Sequence, residues 1–576
     1  MKREHAVLIL ATVLFLWFLW GHDLWAPDEP RFGEVAREML VDGHWVVPHA
    51  NGAVYNHKPP LLFWLIALLS TPLGRVLEFT CRLPSALAAL GTLALTMRIG
   101  NRYYGPRTAA LAGVILATSF MFWDKARWCQ IDALFCSLIW AALAAFVAFR
   151  EGELGGRAAG LLFWIAAAFA VLAKGPHGLL IPLGIVVITL ILDGEAGRLR
   201  ELAPLLGPLA FVAIVGAWVL STIVLGPEDY SVWGAVREHF VDRGIRGMYH
   251  KQPAWYYAER LPVSLLPWTG LLPGAAVLAW RRRRVGGDRF LLVAAVFVVL
   301  FFTISTEKRD LYVLPSFPAW ALLMAAAVGS SCRWGESQAA GSKPLDHRWI
   351  SVGQGIIGGL LILMGIAALF VTDHFDPPPV WMAMTIAGVF FLTGVATLWT
   401  AVRKRILGSV VSLAAGIGIA YLAVVALVYP TLDSVKSARA FALRVKTVTA
   451  ESRSAGERVA AYEIVKLTDP IAFYSDGVYT VVMDDPAELA RHLERTAPVF
   501  AVADGSKLDR LPVPVLDRVV VIERARLSRL DLWLISNAPH PEGVPYATLR
   551  PTATPESSKI LPGNEHDDRP TRREAT

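Results

Sequence analysis

Ala170-Val171-Leu172-Ala173-Lys174-Gly175-Pro176-His177-Gly178-Leu179-Leu180 decides the fold of this chain. Apolar runs at about 158–173 and 176–192 flank its one lysine and its Gly-Pro break, and each approaches the roughly 20 residues that a helix needs to cross a hydrocarbon core. Lys174 therefore lies between two spans. Working outward, comparable runs occur at about 6–24, 83–99, 107–122, 132–149 and 203–225, and again at about 261–280, 289–304, 311–328, 350–372, 380–401 and 407–429. The sequence thus predicts a polytopic α-helical membrane protein with about thirteen transmembrane helices. Of the 576 residues, 55% are hydrophobic and 18% charged, against about 45–50% and about 25% in soluble domains, which excludes one large soluble enzyme.

The formal charge of +7 does not point to nucleic acid, because Lys and Arg are dispersed at the ends of apolar runs and form no basic face. Cys81, Cys129, Cys136 and Cys332 make no CxxC pattern, so neither a zinc site nor a disulfide framework is predicted. No Walker A loop, Rossmann glycine fingerprint or HExxH motif occurs. The energy for any reaction must then arrive with the substrate.

The first span follows Lys2 and Arg3 but ends in Gly21-His22-Asp23 without a small-residue cleavage site, so it is expected to be retained. With the N-terminus cytoplasmic, the loops on that side hold about 20 Lys and Arg in about 70 residues, against about 15 in about 120 on the other side. An odd number of spans then places the C-terminus outside. Residues 1–430 form the expected transmembrane domain, with a first external loop at about 21–82. A second, at about 226–260, mixes aromatic and charged residues and suits either a lid or an amphipathic helix lying on the bilayer. From 431 to 540, strand-like runs at 458–462, 479–483, 499–502, 519–522 and 532–535 alternate with helical stretches at 437–452 and 486–495. That pattern predicts a small periplasmic α/β domain. Residues 541–576, rich in Pro, Thr, Glu and Arg, read as a disordered tail.

The chemistry concentrates in the first external loop. There Ala26-Pro27-Asp28-Glu29-Pro30-Arg31-Phe32 opens an amphipathic stretch. Acids with a proline in the first turn are ordinary helix-start chemistry. The same loop, however, carries Tyr55-Asn56-His57-Lys58-Pro59-Pro60-Leu61, a cation ahead of a Pro-Pro break and an apolar stretch too short to span. Other loops on this side hold Lys125 and Arg127 ahead of Asp132, then Lys174, then Glu307-Lys308-Arg309-Asp310-Leu311-Tyr312-Val313-Leu314-Pro315. One such cation is adequately explained by snorkelling. Four loops of them, on the face that the charge rule leaves poor in positives, point to a shared anionic ligand. A lipid phosphate fits, because its charge needs cations and its tail an apolar groove. Tyr55 and Tyr312 add hydroxyl donors.

As an ordered set these residues resemble the GT-C membrane glycosyltransferases. The elements are Asp28-Glu29 with Arg31, Tyr55-x-x-Lys58-Pro59-Pro60-Leu61, Arg82-Leu83-Pro84-Ser85-Ala86, Asp132, Leu172-Ala173-Lys174-Gly175-Pro176, and Lys308-Arg309-x-x-Tyr312-x-Leu314-Pro315. More narrowly they look like the glycosyltransferase 39 branch, which includes lipid A aminoarabinose transferases and protein O-mannosyltransferases, over about residues 1–430. The resemblance implies a polyprenyl-phosphate sugar donor, typically undecaprenyl phosphate, and transfer with inversion at the anomeric carbon. It also implies a multi-pass protein of the bacterial inner membrane, surrounded by membrane lipids, with its site and C-terminal domain periplasmic. Lipid A is the foremost acceptor implied, with other glycolipids, glycan polymers or proteins as alternatives.

By motif position, Asp28 corresponds to the catalytic carboxylate, with Glu29 beside it, and Asp132 to a second acid near the cavity. Arg31, Tyr55, Lys58 and Tyr312 correspond to groups around the lipid phosphate, joined by Lys174 and by Lys308 or Arg309. His57 stands where the aminoarabinose transferases carry Glu. It removes a negative charge that would pair with an amino sugar or hold a metal with Asp28, and is itself a candidate ligand or hydrogen-bonder. The sequence assigns no metal site; a divalent cation is the one cofactor left open. A transporter of lipid-linked sugars would share the phosphate cations, but transporters place ionisable groups near the midplane and show internal repeats. Here those groups sit in external loops, and the first loop's motifs do not recur.

Overall fold

A computed structural model describes residues 3–202, 205–227, 230–236, 252–334, 343–370, 380–528 and 530–549. Much of the expected lid at about 226–260, including 237–251, lies outside the described residues, as does the expected tail beyond 549. Each apolar run falls mainly on a helix. Nine helices among the described residues are long and apolar enough to cross a bilayer, or ten if Tyr256–Ser264 and Trp268–Arg281, bent by 109°, count as one span.

The expected number of about thirteen is higher because two of its spans fall short of the usual length and two others lie on one long helical stretch. The first helix, α1 (Arg3–Leu16), has 14 residues, and α8 (His177–Asp193) has 17. The runs at 83–99 and 107–122 lie on α4 (Glu78–Thr118), 41 residues comprising two helical segments that meet at a kink at Gly105. There φ is 78°, a left-handed conformation that glycine adopts at little cost.

Burial orders the bundle. Asp310–Ser331 has 89% of its apolar window buried and α6 (Ile131–Arg150) 83%, whereas Leu206–Leu225 has 6% and forms the rim. Ala319, Ala321, Ala325, Ala326 and Ala327 let the central helix approach its neighbours closely.

The first loop is folded down onto this bundle. Its helix α2 (Asp28–Val41) places Phe32, Val35, Ala36 and Met39 in the main core, at helical spacing, beside α3 (Leu61–Ser70). Between them, Asn51 and Gly52, with φ of 55° and 72°, make the two-residue turn of a hairpin. It joins β1 (His49–Ala50) to β2 (Ala53–Val54) and delivers Tyr55, His57 and Lys58.

The C-terminal region holds a six-stranded sheet of order β4-β3-β5-β7-β6-β8. Its strands are β3 (Val459–Tyr462), β4 (Thr480–Met483), β5 (Phe500–Asp504), β6 (Val520–Leu527), β7 (Leu530–Ser536) and β8 (Val544–Pro545). β3 runs parallel to β4 and β5, and the remaining pairs are antiparallel. Val459 and Ala461 enter one apolar cluster, Ala460 and Tyr462 another, so both faces of the sheet are covered and the strand reads as continuously apolar.

This region is seated on the first loop. Helix Thr468–Tyr474 is buried throughout, and Phe473 and Tyr474 belong to the core of the membrane bundle. The Leu24 N–H donates to the Tyr474 hydroxyl at 2.5 Å. On edge strand β4, the side-chain amide of Asn51 donates to the Thr480 carbonyl and accepts from the Thr480 N–H, both at 2.8 Å.

Candidate active site

With 3.6 residues to the turn, neighbours on a helix point about 100° apart, and α2 sends its first two acids in different directions. Glu29 turns inward and is 1% exposed. Its carboxylate accepts from Arg82 Nε at 2.8 Å and Nη2 at 2.9 Å, and from the Cys129 N–H at 2.9 Å. Arg82, fully buried on α4, also donates to the carbonyls of Leu19, His22 and Asp23 at 2.8 to 2.9 Å. The pair is saturated and ties α2 to the chain leaving α1 and to α4. Glu29 does not line the cavity, contrary to the expectation that it joins Asp28 there.

Asp28 faces a cavity of about 310 Å³, at the small end of ligand-site volumes. Its Oδ2 lies 3.6 Å from Arg309 Nη2 and accepts from Gln130 Nε2 at 3.4 Å. One turn along α2, Arg31 lines the same space, where the i, i+3 spacing puts it beside Asp28. The hairpin adds Tyr55, His57 and Lys58. Tyr55 is 6% exposed and packs edge-on to His57, with ring centroids 5.2 Å apart. Burial raises its hydroxyl well above the ordinary phenol range, with the nearby Arg31 charge opposing.

A second wall comes from the membrane helices. Asp132, in the first turn of α6, is ion-paired with Lys174, the last residue of α7 (Gly156–Lys174). The Lys174 ammonium also lies over the rings of Tyr312, 4.7 Å from its centroid, and Phe135, 5.2 Å. Lys174 therefore reaches the cavity with its charge already compensated by Asp132.

The third wall settles a choice that the sequence left open. Arg309 lines the cavity, whereas Lys308 points away, donating to the carbonyls of Ser305 at 2.6 Å and Gln252 at 3.1 Å. Arg309 is in extended conformation, in which successive side chains alternate sides. Lys308 is thus not among the cavity's cations, contrary to that half of the expectation.

Nine expected residues converge: Asp28, Arg31, Tyr55, His57, Lys58, Asp132, Lys174, Arg309 and Tyr312. Gln130 and Glu307 also line the cavity and were not singled out. Their signal was proximity, Gln130 two residues before Asp132 and Glu307 within the Lys308-Arg309 motif. Asp469 gave no signal at all: from the C-terminal region its carboxylate accepts from Arg31 Nε at 2.8 Å. Among the described residues no three His, Cys, Asp or Glu side chains gather as a metal ion would need.

Farther along α2, Arg37 pairs with Glu34 through two contacts of 2.8 Å and donates to the Tyr479 hydroxyl at 2.8 Å. Tyr479 donates in turn to Asp42 at 2.5 Å. Glu38 accepts from the Gly52 N–H at 3.0 Å, and burial, reinforced by the charge of Glu34, pushes its carboxyl up to about 8.

Known proteins share both sequence and fold. Residues 57–220 match the family described as dolichyl-phosphate-mannose-protein mannosyltransferase. The undecaprenyl phosphate-alpha-4-amino-4-deoxy-L-arabinose arabinosyl transferase of Edwardsiella ictaluri is 34% identical over 337 residues, 57% of this chain and 60% of that protein. Its namesake from Pectobacterium atrosepticum is 31% identical over 418 residues, 70% of this chain and 72% of that protein. The crystal structure of ArnT from Cupriavidus metallidurans bound to undecaprenyl phosphate superposes with a TM-score of 0.71 at 20% identity, covering 93% of this chain and 98% of that one. The fold is therefore of the GT-C kind, in a multi-pass membrane protein. The chain belongs to the undecaprenyl phosphate-alpha-4-amino-4-deoxy-L-arabinose arabinosyl transferase family of membrane glycosyltransferases.

Proposed function

We propose that this chain transfers an aminoarabinose-like sugar from undecaprenyl phosphate to an envelope acceptor, foremost lipid A, at the periplasmic face of the inner membrane. The observation that carries the reading is the cavity in which Asp28 faces Arg31, Lys58, Arg309 and two tyrosines at the end of an apolar helix bundle. The names of the relatives support the donor and the sugar.

In the reaction an acceptor oxygen attacks the anomeric carbon, the bond from that carbon to the phosphate oxygen breaks, and undecaprenyl phosphate leaves with the electron pair. A single displacement inverts the anomeric centre. Arg31, Lys58 and Arg309, with the Tyr55 and Tyr312 hydroxyls, pair with the charge that grows on the departing phosphate and lower the barrier without a proton transfer. Asp28 orients the acceptor and, where the acceptor is a hydroxyl, takes its proton. A phosphate acceptor is already a nucleophile and leaves Asp28 the orienting task alone.

His57 favours a second reading of the acceptor. It lines the cavity where a glutamate is expected in aminoarabinose transferases, and the match at residues 57–220 is to a protein-glycosylating family. Another glycolipid, a glycan or a protein then takes the sugar. Mass spectrometry of lipid A, glycolipid and envelope-protein fractions tests both, using cells that express wild type, Asp28→Ala or Lys58→Ala at matched levels. The expected result is a sugar mass increment on one fraction with wild type only. Equal modification by the two variants would remove these residues from the mechanism.

A further inference from the structure

We infer that Asp469, in the C-terminal α/β region, is a positioning residue for the donor-phosphate site. It holds Arg31 by its Nε, so that the terminal N–H groups of the guanidinium are presented to the cavity. The inference rests on the cavity's being that phosphate site.

Arginine carries five N–H donors in one rigid plane, so fixing one of them orients the rest. Asp469 takes Nε at 2.8 Å, and this leaves the two Nη groups for Tyr55 and the cavity. The Asp469 side chain is 10% exposed and that of Arg31 27%, so the bond forms where solvent screening is weak. The carboxylate is itself held firmly. Its helix, Thr468–Tyr474, is buried along its length, and the ring of Phe473 sits 3.0 Å from where a Cβ on Gly33 of α2 would be. Leu24 and Cys81 close the same space at 3.1 and 3.2 Å, so α2 and this helix are packed in direct contact.

Asp469 has a second effect. Asp28 is the other carboxylate acting on Arg31, and an arginine released from Asp469 would swing towards it. Such a pair would occupy both the phosphate's cation and the acceptor's carboxylate. The C-terminal region is therefore part of the site.

The test measures undecaprenyl phosphate binding and melting temperature on the full-length protein in nanodiscs, for wild type, Asp469→Asn, Asp469→Glu, Tyr479→Phe, Arg31→Gln and the Arg31→Gln/Asp469→Asn double variant. Tyr479→Phe loosens another contact between the C-terminal region and α2, remote from Arg31, and serves as the docking control. Asp469→Asn keeps an acceptor oxygen for Nε but removes its charge, and should bind about tenfold more weakly, as expected for weakening a hydrogen bond between charged groups. Asp469→Glu should recover part of the loss, Tyr479→Phe should bind within about twofold of wild type, and the double variant no worse than Arg31→Gln. The inference is overturned if Asp469→Asn binds like wild type, if Tyr479→Phe loses as much, or if the two losses multiply in the double variant. Should Asp469→Asn fail to fold, Asp469→Glu decides alone: wild-type binding by a carboxylate displaced by one methylene would sink the idea. Unchanged binding by Arg31→Gln would instead refute the phosphate-site reading, and the inference with it.

Discussion

The two faces of α2 carry the same residue types under opposite conditions. On the inner face Glu29 and Arg82 meet at 2.8 Å, almost wholly buried, with backbone carbonyls and an N–H completing their shells. On the cavity face Asp28 and Arg309 stand 3.6 Å apart, with side chains 22% and 43% exposed. A saturated pair has nothing left to give a ligand, whereas a loose one between half-exposed groups can open for one. On the proposed mechanism, the contrast separates architecture from chemistry within two consecutive residues.

Substitutions at these positions should break or confirm that separation. Asp28→Asn is expected to lower transfer to a hydroxyl acceptor by about 10²- to 10⁴-fold while leaving the melting temperature in detergent unchanged. A loss of tenfold or less would confine Asp28 to orienting the acceptor. Glu29→Gln should act the other way round, costing about 3–5 kcal/mol of stability by stranding the buried Arg82 charge. Its signature is a fall in folded yield and melting temperature, and a fully stable but inactive Glu29→Gln protein would erase the distinction drawn here. Lys58→Ala should raise the donor KM by about tenfold, the size of one lost charge-assisted contact, with a smaller change in kcat. An unchanged KM would take Lys58 out of the phosphate site.

The smallest expected effect concerns pH. Glu38 has a folded pKa of about 8, above the ordinary carboxylate value, so between about pH 4.5 and 8 the folded protein holds a proton that the unfolded chain does not. Stability then falls as pH rises through that window, by at most about 1.4 kcal/mol per unit. Glu38→Gln removes the dependence, and its melting temperature should match wild type near pH 5 and exceed it by up to about 3 °C at pH 8. Parallel melting curves for the two proteins across that range would show that Glu38 does not carry this proton.

The bundle, the two helices of the first loop and the terminal sheet were legible because each is written as local periodicity. Runs such as 132–149 and 458–462 landed on α6 and β3. Most cavity residues were legible because they sit in short motifs at span ends. What could not be read was direction: Asp28 or Glu29 depends on helix phase, and Lys308 or Arg309 on the alternation of an extended segment. The Arg31–Asp469 contact was illegible for another reason, since it joins residues 438 positions apart and no local pattern encodes such a pairing. The number of long apolar helices falls below the expected span number where length, kink and continuity are properties of the folded helix, as at Gly105.

Asn51 has a consequence for assembly. Its amide occupies both hydrogen-bonding groups of Thr480 on the outer side of β4, as a neighbouring strand would. Bare strand edges recruit other chains. A segment made early in translation thus shields an edge that is made 429 residues later. Expressed by itself, the terminal sheet would present that edge uncovered and be prone to self-association, so its solubility depends on a loop from the opposite end of the chain.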